Sequence, residues 1–466
     1  MYAKNTLISL LVATAVLSSV AVRAQTSSVN AFSPYTMYGI GELNTPGTLP
    51  MRSMGGVGVA MRNVGGINLL NPASYSIAPQ KSFLFDFGGE GQNFYNAQSV
   101  LDTQSGDYAS KHTAYNTFNI RDIALQIPLA KKLGLGLSLT PYSSVGYRMR
   151  YDHPYSDDDP VWGNVGSVQY DYQGEGDVTE VKLGVGWEPF KNFSIGVAAQ
   201  YYWGDIDRDY VASASTITGS GSVSSISGKD NYSVSSFKGQ VGVQWVALLN
   251  EKRALSFGAT YDFGGDLRPR VASTMTIGNM TNTVVRDETT DLKLVLPHQV
   301  AVGAYYQTAK WVLGADYVYQ NWGGRNKGSV QTGVSGTGEN RHSYAVAYTN
   351  TSTIKLGAEF TPGRYDVRRF LKRCAYRAGF RYGRFNQTFD GQELGEWAVT
   401  AGVGIPVHFL SVSGINVGLE YGRRGYNVAE RIGLVRQQYF KFAIGFSLFG
   451  AGGENQDYWF LRPKYD

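Results

Sequence analysis

The chain has a single cysteine, Cys374, among 466 residues. One thiol excludes an intramolecular disulfide, and without a Cys/His cluster at zinc spacing no structural metal is expected; Cys374 reads as a free, inert thiol. Charge is also scarce. Asp, Glu, Lys and Arg make up 17% of the chain, against roughly 25% in soluble domains. The net charge of +5 is spread out, with no long basic stripe, so no nucleic acid is expected as a partner. Beyond the N-terminus no apolar run approaches the ~20 residues of a membrane-spanning helix, which leaves strands as the means of any membrane crossing. The five histidines, His112, His153, His298, His342 and His408, are scattered, and the chain holds no His-x-x-Glu-His or Gly-x-Ser-x-Gly arrangement. Neither catalysis nor a cofactor is expected.

What is abundant is glycine, at 57 residues, and tyrosine, at 32, with aromatics at 13%. A chain so composed is suited to two solvents. Residues 1–24 carry Lys4, an apolar stretch from Leu7 to Val22 and Val22-Arg23-Ala24 before Gln25, the pattern of a secretory signal cleaved near Ala24. From there to about residue 80 the chain is irregular and dense in Gly and Pro, which favour tight turns. Gly55, Gly56, Gly58, Gly65 and Gly66 lead into Asn71-Pro72-Ala73-Ser74-Tyr75. Its apolar residues, among them Met51, Met54 and Met61, are too few to form a core alone. The segment 25–80 is therefore expected to be a hatch, or plug, that folds against a host surface.

The host is expected over residues 81–449, where large apolar residues alternate with small or polar ones. Leu133, Leu135, Leu137 and Leu139 alternate with Gly134, Gly136, Ser138 and Thr140; Val181, Leu183, Val185 and Trp187 alternate with Lys182, Gly184, Gly186 and Glu188. Successive side chains of a strand point to opposite faces. A soluble sandwich would put charges and Thr on its second face; here that face is Gly, Ala and Ser, as if another body packed on it. Segments of about ten residues, separated alternately by short turns and long polar stretches, give about fourteen strands, an even number that places both chain ends on the periplasmic side. Trp187, Trp203, Trp245, Trp311, Trp322 and Trp397 fall near strand ends, as interfacial aromatic girdles do. The expected fold is all-β: a transmembrane antiparallel barrel of about fourteen strands with the hatch in its lumen, followed by a periplasmic tail over residues 450–466.

Three features together resemble the FadL-like family of outer-membrane channels for long-chain fatty acids and aromatic hydrocarbons. They are Asn71-Pro72-Ala73 in the hatch, Leu296-Pro297-His298-Gln299-Val300 entering a strand, and the strand from Trp311 to Trp322. Ser33-Pro34-Tyr35 and Tyr38-Gly39-Ile40-Gly41 look like a Bacteroidetes branch of that family. The resemblance implies a hatch that fills the lumen, a hydrophobic substrate bound above it, and a hatch shift that opens a sideways exit through a kinked early strand. Carried over by motif, it marks only Asn71, Pro72 and Ala73.

Gly65 and Gly66, with Asn71, Pro72 and Ala73, are the candidate gating residues, and Met51, Met54 and Met61 the candidate ligand lining, because Met adapts to varied apolar shapes. Inward-facing charges are tolerable mainly when paired; Asp316, Lys355, Glu359, Arg377 and Arg381 are expected to anchor the hatch. Asp157-Asp158-Asp159 reads first as a solvated acidic loop, and alternatively as a divalent-cation site. The basic connection from Thr361 to Lys372 reads first as a solvated turn, with a periplasmic partner or acidic lipid headgroups as the sharper alternative. Expected partners are outer-membrane lipid and a small hydrophobic ligand. Two functions compete: passive uptake of small hydrophobic molecules, and a barrel subunit docking a type IX-like secretion or outer-membrane-assembly partner.

Overall fold

A computed structural model describes residues 31–63, 65–78, 82–101, 108–154, 165–216, 225–250, 253–267, 269–278, 283–291, 294–327, 330–335, 342–364, 366, 368–407, 412–425 and 435–450. The signal segment 1–24, the acidic triplet at 157–159 and the tail beyond residue 450 lie outside the described residues.

Fourteen antiparallel strands form the wall: β1 (Phe83–Leu101), β2 (Tyr108–Ala130), β3 (Leu133–Pro154), β4 (Val165–Phe190), β5 (Phe193–Thr216), β6 (Ser225–Leu249), β7 (Arg253–Asp262), β8 (Gln299–Thr308), β9 (Trp311–Gln320), β10 (Thr351–Phe360), β11 (Ala375–Phe389), β12 (Gln392–Val407), β13 (Val412–Arg424) and β14 (Arg436–Gly450). Each pairs with its neighbours in this order, and β14 pairs back onto β1 from Phe83↔Gly450 to Ala97↔Arg436, closing the barrel. Closure is complete along this seam, but β2 and β3 pair only from Ile123↔Leu139 to Ala130↔Leu133, so β3 beyond Leu139 presents an edge on that side. Two further hairpins extend the far end. Arg270–Gly278 pairs with Thr283–Asp291 and with the outer part of β6, and Val330–Ser335 pairs with His342–Tyr348 beside the outer end of β11.

Ten-residue segments describe only β7 to β10. Elsewhere the strands are much longer: β4 has 26 residues and β6 has 25. The polar stretches between apolar segments, expected to connect strands, are themselves strand over residues 93–101, 108–112, 205–216 and 225–234. The sequence pattern shows apolar alternation only where one face meets lipid. Above that level the ladder continues with polar alternation, helped by exposed cross-strand pairs such as Arg150–Asp171 at 2.8 Å and Lys229–Asp207 at 3.3 Å.

The outward face carries the large apolar residues as expected, with Leu137, Leu183, Val197, Phe257, Leu356, Val399 and Phe442 all exposed. Trp187, Trp245 and Trp311 are exposed near strand ends, whereas Trp203 is exposed in the middle of β5 and Trp397 is half-buried within β12. Trp322 is a correction: it lies in the helical turn Trp322–Arg325, fully buried against Tyr348, with its indole N–H donating to Gln320 Oε1 at 2.9 Å. Leu356 is 49% exposed on β10, between the aromatic ends of its neighbours. Leu356→Arg is expected to cost about 2–4 kcal/mol, the depth-dependent penalty for a midplane cation on a barrel's lipid face; denaturant titration in lipid vesicles measures it.

The inward face is cut for a second body. Gly134, Gly186, Gly196 and Gly242 stand in register across β3 to β6, and a Cβ at any of them would collide with residues 71–76. Gly314, Gly357 and Gly379 form a second row, on β9 to β11, against Met54, Gly55 and Val57. The body they admit is the N-terminal segment, which runs down the lumen. It starts high in the barrel, where Ser33 N–H donates to the Gly146 carbonyl at 2.8 Å. Glu42–Leu43 adds a short strand to β3 at Ser144–Ser143. A helical turn, Leu49–Arg52, and a 3₁₀ turn, Pro72–Ile77, follow. Residues 31–36 lie beside the outer parts of the strands; both chain ends, expected on the periplasmic side, lie outside the described residues.

Candidate functional site

The lumenal segment is shaped by its own short polar side chains. Asn71 caps the 3₁₀ turn, its Oδ1 accepting from Ala73 N–H at 3.0 Å, while its Nδ2 donates to Val59 O at 2.8 Å and to Val243 O of β6 at 3.1 Å. Asn68 Nδ2 donates to the Gly58 and Met61 carbonyls at 2.7 and 2.9 Å. Such side chains satisfy backbone groups that regular structure would otherwise pair. Asn71-Pro72-Ala73 is thus a fixed contact between segment and wall. Pro72 supplies a φ suited to the first position of the turn, and Ala73, fully buried, is small enough for Gly196 to face it.

Gly65 and Gly66 do not occupy such a contact. Gly65 is exposed, and a Cβ at either would meet only Asn63, at 3.7 Å. The glycines whose backbone the site requires are Gly55 and Gly56, with φ of 71° and 81°. That is the left-handed region, which disfavours a Cβ.

Five basic and five acidic side chains join the segment to the wall in one buried chain. Arg52 of the segment, 4% exposed, bonds Glu90 of β1 at 2.6 Å and Asp122 of β2 at 2.8 Å. Glu90 is also approached by Arg121 at 3.4 Å and by Lys441 at 3.8 Å. Lys441 reaches Glu420 at 3.8 Å, and Glu420 accepts from Arg381 at 2.8 Å. Arg381 lies 3.8 Å from Glu396, which bonds Arg424 at 3.1 Å; Arg424 then bonds Glu42, back on the segment, at 2.6 Å. The charges balance, which a low-dielectric interior demands. The segment is held at both ends of the chain.

The expected anchors divide. Asp316 Oδ2 accepts from Gly58 and Val59 N–H at 2.7 and 2.9 Å, and Lys355 Nζ donates to Gly56 O at 3.3 Å. Glu359, Arg377 and Arg381 instead bond within the wall: Arg377 to Glu359 at 2.7 Å and Asn416 at 2.9 Å, and Arg381 to Glu420. Arg377 finds Glu359 on the adjacent strand and Arg381 finds Glu420 two strands away across the inner face, and those nearer charges claim them first. Lys182 and Glu188, inward charges also expected to anchor the segment, do contact it: Lys182 donates to Leu69 O at 2.7 Å, and Glu188 pairs with Arg62. Arg52, the most consequential residue, was legible only as a lone cation in an apolar stretch.

A cavity of about 220 Å³ lies in the lumen between Glu42–Leu43 and Val59, Leu69 and Leu70. Tyr142 and Tyr202 give it aromatic walls; Glu180, Lys182, Lys238 and Asp262 give it charge. Gln200 Oε1, Gln240 Oε1 and Asp262 Oδ1 are buried there without a partner among the described residues. Met51, Met54 and Met61, the expected ligand lining, are a correction: all three are buried in a cluster with Ala60, Tyr305 and Val312, away from the cavity. The methionines fill the contact between segment and wall, while Leu43, Val59, Leu69 and Leu70 are the apolar residues the segment turns to the cavity. The cavity also touches Thr140, Pro141 and Tyr142 of β3, where the β3–β4 register shifts between Pro141 and Ser143. There Tyr142 O accepts from Asn44 N–H of the lumenal segment at 2.9 Å.

Known structures share this architecture. A FadL homologue of Pseudomonas aeruginosa superposes with a TM-score of 0.56 at 12% identity, over 86% of this chain and 97% of that one. The toluene transporter TodX of P. putida gives 0.52 at 15%, over 89% and 98%. The toluene transporter TbuX of Ralstonia pickettii gives 0.51 at 14%, over 86% and 98%. At these identities the likeness establishes the fold, that of the FadL-type outer-membrane barrel. No curated protein matches the sequence. A family model described as BamG matches residues 5–466, nearly the whole length, and the chain therefore belongs to the BamG family.

Proposed function

We propose that this barrel passes small hydrophobic molecules that carry a polar group inward across the outer membrane, with the lumenal segment as hatch. The observation that carries this reading is the position of the cavity. It lies between two parts of the hatch and reaches the wall where β3 loses its register at Pro141–Ser143, so a bound molecule sits beside a weak point of the barrel. Tyrosine faces and unpaired buried oxygens suit an apolar body with a hydrogen-bonding end, since a buried polar group without a partner is costly. The transport of toluene by structurally similar barrels supports the class of cargo. Gly55 and Gly56, Asn71-Pro72-Ala73, Asp316 and Lys355 are the contacts a moving hatch would break or pivot on.

The test fills the cavity. Ala301, buried on its wall, is replaced by Phe in cells whose only copy of the gene is the variant. Uptake of at least one labelled apolar compound is expected to fall severalfold, as it does on deletion, with the amount of folded barrel unchanged. Equal uptake by wild-type, variant and deletion cells across a broad panel sinks the reading.

The charge chain from Asp122 to Glu42 is equally compatible with a second reading, a barrel that docks a secretion or assembly partner. A segment tied this firmly suits a stable scaffold as well as a gate. Purification in mild detergent discriminates: a stoichiometric large partner favours docking.

A further inference from the structure

The connection between β10 and β11, residues 361–374, is unlike the other turns at its end of the barrel. Phe360 pairs with Trp311, and Thr361 N–H donates to Lys310 O at 2.8 Å, which places it beside the short turn Thr308–Trp311, on the periplasmic rim. It is longer than its neighbours and folded. Gly363 N–H donates to Lys372 O at 2.8 Å, and Phe370–Arg373 is a helical turn. Asp366 Oδ1 accepts from Arg368 and Arg369 N–H at 3.0 Å each. The backbone N–H of Arg369, above all, keeps the exposed Asp366 carboxyl below the usual carboxylate range.

Its side chains sort by chemistry. Phe370 and Leu371 are 46% and 70% exposed, with no core to enter. Tyr376, exposed on the lipid-facing side of β11, donates its hydroxyl to Leu371 O at 3.0 Å. The Trp311 and Phe360 rings pack at a tilt with centroids 4.4 Å apart, and Phe360 pairs in register with Tyr376. The apolar tip is therefore continuous with the aromatic belt. Around it stand Arg364, Arg368, Arg369, Lys372 and Arg373 with one acid, Asp366. Asp366 is engaged with Lys372 at 3.6 Å, and the Arg373 guanidinium sits 5.4 Å from the Phe370 ring centroid.

We propose that residues 361–374 form a lipid-binding foot. Phe370 and Leu371 sit among the acyl chains at the edge of the inner leaflet, and Arg368, Arg369 and Arg373 bind the phosphate of an anionic phospholipid. Amphipathic elements with basic polar faces bind interfaces in this way, and each Lys or Arg near an anionic surface contributes about fivefold in affinity.

The experiment reconstitutes the full chain into vesicles of equal phosphatidylglycerol and phosphatidylcholine, extracts it in mild detergent, and identifies retained lipid by native mass spectrometry. Wild type is expected to retain phosphatidylglycerol preferentially, and Arg368→Gln/Arg369→Gln/Arg373→Gln to lose that preference. A second measurement is independent of the triple variant's folding: a fluorophore on Leu371→Cys, in a Cys374→Ser background, is expected to be quenched by spin-labelled lipid. Equal retention of the two lipids by wild type, or a fluorophore open to aqueous quencher and untouched by spin-labelled lipid, overturns the proposal. So does a position 371 shielded only in whole cells, which assigns the foot to a protein partner.

Discussion

Arg52→Met is expected to destabilise the barrel by about 3–5 kcal/mol, the cost of removing one partner from a buried ion pair. Asp122 would bear most of this loss. It is completely buried, and its only ion pair among the described residues is with Arg52 at 2.8 Å, whereas Glu90 keeps Arg121 and Lys441 nearby. Two further variants separate charge from packing. Asp122→Asn in the Arg52→Met background should recover much of the stability by removing the stranded charge. Arg52→Lys should fall between, because one ammonium cannot reproduce the forked contact with two carboxylates. Urea unfolding in vesicles, followed by tryptophan fluorescence, gives these differences directly. A loss below about 1 kcal/mol that Asp122→Asn does not reduce would mean that Arg52 does not hold the segment in place.

The second large effect is expected at Gly379→Leu. Its Cβ would fall inside the peptide linking Met54 and Gly55. The wall has little freedom to yield there, because Gly379 is paired on both sides, with Gly357 and Thr400. Overpacking a tight interior costs about 1–3 kcal/mol, and a backbone collision belongs at or above the top of that range. The lumenal segment is the part able to move, so the barrel should still fold in lipid but conduct ions where wild type is nearly closed. Planar-bilayer conductance and protease sensitivity of residues 49–78 read the displacement. Gly65→Ala is the control, since its Cβ would make only an ordinary contact with Asn63 at 3.7 Å. A closed, protease-resistant Gly379→Leu barrel would refute the close-packed socket, and conduction by Gly65→Ala would return the gating role to Gly65.

The two variants mark where sequence reasoning was strong and where it ran out. Gly379 belongs to an inward face that alternation identified correctly, yet the row Gly314–Gly357–Gly379 appears only when three strands are laid in register. Asp316 and Glu359 were equivalent as inward carboxylates. Asp316 meets Gly58 and Val59, 258 and 257 residues away, whereas Glu359 meets Arg377 on the adjacent strand. No local pattern distinguishes them. The methionines misled for a related reason: adaptable apolar side chains serve a ligand or a wall equally well, and here the wall takes them.

The sequence by itself determined the all-β class, the even strand count near fourteen and the lipid-facing side of the strands where apolar alternation is regular. These follow from a side-chain period of two and from the turns that interrupt it, both of which are local. Only the tertiary structure decided which inward charge meets which partner, where the cavity lies, and that Arg52 and Glu42 close a single chain of ion pairs. Those depend on strand register around a closed ring, where residues hundreds of positions apart become neighbours and the nearest opposite charge determines the pairing.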